Sequence, residues 1–158
     1  VKADPKVIGD LLASCGQLAT IAEQYRLDGY ALRNAGLKDL GRKFYAEQSW
    51  HQDIETHLNL FIKQLLNFES DPNYTVGPVA TGGDVSLLLR RNLAAIYGAF
   101  NAMCERRAFA WDTRADAVPD LYEHAIKEVQ HQINKIERYL RVVDGIGVKD
   151  FVGALVEV

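Results

Sequence analysis

Residues 69–84 read ESDPNYTVGPVATGGD, with two prolines and three glycines in sixteen residues. Such a stretch reads as a long surface connection. On both sides of it the pattern changes, and apolar residues recur at three and four, which is one face of a helix. Upstream lie two such patterns, one from about Lys6 to Asn34 that stops at Gly36, the other from about Leu37 to Phe68. Downstream a third covers about Asp84 to Asp112, and a fourth starts at Asp116 or Asp120 beside Pro119 and runs to Asp144. After the GIG of 145–147, residues 148–156 read as a short separate tail helix. No strand-length alternating segment competes with these patterns.

The rest of the composition bounds the molecule. At 158 residues, with 48% apolar and 25% charged residues, the chain has the make-up of one globular domain spanning 1–158. No apolar run approaches the ~20 residues of a membrane helix, so no membrane partner is expected. The opening VKADPKVIGDLL lacks the apolar stretch of a signal peptide, and a cytoplasmic location is expected. A net charge of −3 gives no electrostatic case for nucleic acid. Cys15 and Cys104 have neither metal-type nor redox-motif spacing and are expected to be two buried, reduced thiols.

Four long helices with one long connection midway predict an all-α architecture. An up-down-down-up four-helix bundle with its crossover between the second and third helices is the ferritin-like arrangement. Two stretches then raise the question of a metal. HQDIETH at 51–57 holds two histidines and two carboxylates, and HAIKEVQH at 124–131 ends in Glu128-x-x-His131. Whether they converge depends on the 100° step per residue. On the fourth helix the apolar face is Leu121, Ala125, Val129, Ile133, Ile136, Leu140 and Val143, and His124 and His131 fall nearly opposite it. The second motif therefore has metal spacing on an outward face.

Taken in order, KADPKVI (2–8), EQY (23–25), GLKDL (36–40), DPN (71–73), GGDV (82–85) and GIGVKDF (145–151) resemble a bacterioferritin over essentially the whole chain. The resemblance implies a hollow 24-subunit shell, a di-iron oxidising site within each subunit and a haem held between paired subunits on two methionines. A di-iron site of this type takes a Glu from each of two helices and a Glu-x-x-His from each of the others.

Carried over position by position, the resemblance puts most of those ligands on residues that cannot serve. The single glutamates match Leu18 and Ile96, and the fourth helix's pair matches Val129 and Gln132. On the second helix the pair matches Ile54 and His57, or His51 and Ile54 if an insertion lies downstream rather than upstream. In the first alignment only His57 survives of six. The haem methionine matches Glu55 or Gln52, and the chain's one methionine, Met103, lies on the third helix's core stripe. Neither the usual ferroxidase centre nor methionine-ligated haem is expected.

Polar residues remain on the inward side of the second helix. Glu47 and His51 are one turn apart, and Arg107 on the third helix is the expected partner that satisfies them. A relocated site for iron or another divalent metal would use Glu47 and His51, with His57. Leu60 faces away from the core, Leu12 and Tyr30 sit at the edge of the first helix's stripe, and together they suggest a pairing surface. The expected assembly is a homodimer through the first two helices, extending to a 24-subunit shell and to co-assembly with an active bacterioferritin subunit.

Three functions follow as expectations. The first is a shell subunit of the iron-storage type, structural or mineral-lining, without its own oxidase activity. The others are an oxidase with a rearranged site at Glu47, His51 and His57, and a ferritin-fold interaction protein with no iron role.

Overall fold

A computed structural model describes residues 4–34, 36, 38–65, 73–115 and 117–156; the side chains of 50, 51, 54, 55, 57, 61, 64, 65 and 146–156 lie outside that description. The described chain is helical, with α1 Pro5–Asn34, α2 Lys38–Leu65, α3 Val85–Asp112 and α4 Val118–Val156. No strand occurs among the described residues. None of these helices is long and apolar enough to cross a membrane, among the described residues.

Local chemistry sets most of the ends. Pro5 occupies the first position of α1, where its missing N–H costs nothing, and the Asp4 carboxylate accepts from the Lys6 N–H at 2.8 Å. At the far end Gly36 takes φ +87°, a left-handed turn that any Cβ would disfavour. Asp84 caps α3, its carboxylate accepting the Leu87 N–H at 2.8 Å. Pro119 sits in the first turn of α4, again without interrupting a helical hydrogen bond.

One expectation fails here. The GIG at 145–147 does not separate a tail helix; the backbone continues helically from Val118 to Val156. A glycine inside a helix costs only about 1 kcal/mol relative to alanine. That is too little to stop a helix already propagating.

The helices pack as α1 on α2, α3 on α4, α1 on α3 and α2 on α4. Individual contacts give their directions. Tyr25 meets Phe44 while Arg33, farther along α1, lies against Gly41, earlier on α2, so α1 and α2 are antiparallel. Asp28 binds Arg91 while Gln17 binds Arg106, so α1 and α3 are antiparallel as well. Arg90 pairs with Asp144 and Arg107 with Glu123, which makes α3 and α4 antiparallel too.

Since α2 and α3 thereby run the same way, the chain between them must travel the length of the molecule. It does so along α1. The Gly77 N–H donates to Thr20 Oγ1 at 2.8 Å, and Ala80 exchanges two hydrogen bonds of 2.9 Å with the Gln24 amide. Gly16 makes the approach possible, because a Cβ there would lie 2.8 Å from the Thr75 carbonyl oxygen.

Candidate functional site

The interior between the helices is where the resemblance places the di-iron ligands. Leu18 from α1, Ile96 from α3 and Val129 from α4 are each 0% exposed and belong to one apolar cluster with Leu11, Leu58 and Ile133. None of the three bears a donor atom. Gln132 is also buried, and its Oε1 has no hydrogen-bond partner among the described residues. The side chains of Ile54, His51 and His57 lie outside the described residues, as does Glu55, one of the two positions matched to the haem methionine. Met103, from the third helix's stripe, is buried in the same cluster.

Glu47 is the one predicted candidate whose surroundings are visible. Its carboxylate accepts a hydrogen bond from the Lys135 ammonium of α4, and its side chain is only 13% exposed. The expected partner, Arg107, instead lies 3.6 Å from Glu123 at a half-exposed position. Axial level explains the difference. Arg106 sits beside Ser14, whereas Glu47 influences Tyr25, and eleven residues of α1 separate those two levels. At 1.5 Å per residue that is about 16 Å.

Two tyrosines lie within electrostatic reach of the Glu47–Lys135 pair. Burial drives the Tyr25 hydroxyl pKa well above its ordinary value, and the negative charge of Glu47 pushes it further. Burial raises Tyr139 as well, with Lys135 working against the shift and Glu47 with it. Both hydroxyls are protonated at neutral pH, so neither adds a charge to the pair.

The chemistry of the donor set decides what this interior could hold. A carboxylate-bridged pair of metal ions needs several anionic oxygens to offset its charge. Leu18, Ile96 and Val129 offer none, Gln132 offers a neutral amide, and the Glu47 carboxylate is already matched by an ammonium. The described residues therefore do not fit such a centre. Among them no three of His, Cys, Asp or Glu converge on one point. His124 and His131 are exposed, and Glu128 is half-buried beside them. Of the thiols, Cys15 is buried as expected, but Cys104 is exposed.

Two polar networks were missed in the sequence. Asp28, 1% exposed, accepts from Arg91 at 2.6 Å, from Asn92 at 2.7 Å and from Gln24 at 3.0 Å. It ties α1 to α3 and, through Gln24, to the crossover. Farther down α1, Arg106 donates to Ser14 at 2.9 Å and to Gln17 at 2.6 Å, with the Tyr122 hydroxyl 3.4 Å from Ser14. Burial is the main cause that pushes Tyr122 up to about 12. The available signal was Gln24 and Asp28 at an i, i+4 spacing beside an apolar stripe. No protein-family model matches this sequence.

Proposed function

We propose that the chain is a ferritin-like, bacterioferritin-related shell subunit that does not oxidise iron itself. It would act as a structural or mineral-lining component alongside an oxidising partner subunit. The observation that carries the reading is the apolar interior at Leu18, Ile96 and Val129, where the resemblance would put three carboxylates. Helix directions and a crossover running along α1 support an up-down-down-up four-helix bundle, the arrangement such a subunit needs. Half of Leu60 is exposed on α2, and Leu12 is half-buried at the edge of α1. An isologous pair across these helices would cover both.

The test is to purify the chain, size it, measure its metal content and follow ferrous iron oxidation in air by absorbance. The expected result is a large, metal-poor assembly whose oxidation trace follows the protein-free control. Rapid, saturable oxidation at two irons per chain overturns the reading. Stoichiometric metal lost on His51→Ala overturns it too, in favour of a rearranged site at Glu47, His51 and His57. A metal-free particle no larger than a dimer overturns it in favour of an interaction protein.

A further inference from the structure

Where α1 ends and α2 begins, the outer surface carries a groove of about 550 Å³. Its floor is a close approach of the two helices. A Cβ on Gly41 would lie 2.7 Å from the Gly29 carbonyl oxygen, so bare backbone at both positions shapes the trough. Tyr30 and Tyr45 stand beside it edge to face, centroids 5.7 Å apart at 80°, with outer surfaces open to solvent. A hydrogen bond between their hydroxyls is the main cause that raises the Tyr45 pKa. Arg33, Lys38 and Arg42 line the remaining sides.

The charge here runs against that of the whole chain. Between residues 30 and 45 stand Arg33, Lys38, Arg42 and Lys43 against Asp39 alone, in a chain of net charge −3. Asp39 reaches Arg42 at 3.5 Å in an exposed contact. No carboxylate pairs with Arg33 or Lys38 among the described residues.

We propose that this groove binds a nucleoside phosphate, with the phosphates on Arg33, Lys38 and Arg42 and the base against Tyr30 and Tyr45. Guanidinium forks match phosphate oxygens in pairs, and an ammonium adds a point charge. Tyrosine rings stack on any base. The volume falls within the range of roughly 300–1,000 Å³ usual for small-molecule sites. A bare phosphate would leave the tyrosines unused and a neutral ring would leave the cations unpaired. Only a ligand with both parts engages the whole groove.

This inference does not rest on the shell-subunit reading. A pair whose two-fold axis passes near Leu12 and Leu60, rather than near Tyr30, leaves the groove open. Leu12 lies 18 residues from Tyr30, about 27 Å along the helix, and a two-fold contact at the basic end would bring like charges together.

The test is titration calorimetry on the full chain at low salt with ADP, UDP, pyrophosphate and adenosine as probes. One saturable site per chain is expected for the nucleotides, with pyrophosphate at least tenfold weaker and adenosine silent. Arg33→Glu combined with Arg42→Glu should weaken the nucleotides at least tenfold, and Tyr45→Leu severalfold, with helical circular dichroism unchanged. Three results overturn the proposal: no binding of either nucleotide, pyrophosphate as tight as ADP, or the double-arginine variant binding as the parent does. A single-stranded oligonucleotide at least tenfold tighter than ADP also overturns it, in favour of a nucleic-acid surface.

Discussion

At the scale of single residues, the interior makes a claim that one substitution can test. Leu18 is fully buried among aliphatic neighbours, so Leu18→Glu would place a carboxylate where nothing pairs it. Such an uncompensated charge costs on the order of 3–5 kcal/mol, and urea denaturation should show a loss of that size. Were the interior a metal pocket, the same variant would be tolerated and would gain iron. Tyr122 offers a second test. Its hydroxyl is pushed up to about 12 from an ordinary value of 10.0, mainly by burial. The unfolded chain then loses this proton near pH 10 while the folded chain keeps it. Stability is therefore unaffected below pH 10 and falls between pH 10 and 12, by up to roughly 3 kcal/mol. Urea midpoints measured across that window should fall less steeply in Tyr122→Phe than in the parent.

Whole elements are held by fewer points than their length suggests, and two glycines of α1 separate the effects. A side chain at Gly16 would strike the crossover at Thr75, whereas nothing lies within 4 Å of a Cβ at Gly9. Gly16→Val should destabilise by about 1–3 kcal/mol and expose residues 73–84 to limited proteolysis. Gly9→Ala should stabilise by up to about 1 kcal/mol through helix propensity. Thermal unfolding of both variants checks the contrast. The same distinction explains what the sequence could reveal. Helix existence and the inward facing of Leu18, Ile96 and Val129 are properties of one helix, so a 100° count finds them. Which residue meets Glu47 is a property of two helices and their axial offset. A count along one helix leaves that offset free, and so Arg107 was expected where Lys135 stands. The glycines at 145 and 147 misled for another reason: their propensity cost is too small to stop a helix already propagating.

For the molecule as a whole, the open question is what covers its outer apolar surface. Leu60 is 52% exposed, and the side chain of the preceding residue, Asn59, is committed inward, donating to the Tyr74 hydroxyl at 3.0 Å. Beside it an apolar groove lined by Leu12, Ala13 and Tyr74 runs between α1 and the crossover. A leucine standing proud next to a trough is self-complementary under a two-fold axis, since each copy's ridge can enter the other's groove. The basic patch at Arg33, Lys38 and Arg42 lies at the opposite end of α1, and mutual repulsion there favours pairing at the Leu60 end. Sedimentation velocity should therefore find a dimer or a multiple of it, and Leu60→Asp should shift the population toward monomer with the far-ultraviolet spectrum unchanged. Because Leu60 contributes little to its own chain's core, loss of fold is not the expected route to that shift. A variant that unfolds would make Leu60 an internal support, and one that keeps its size would move the contact elsewhere.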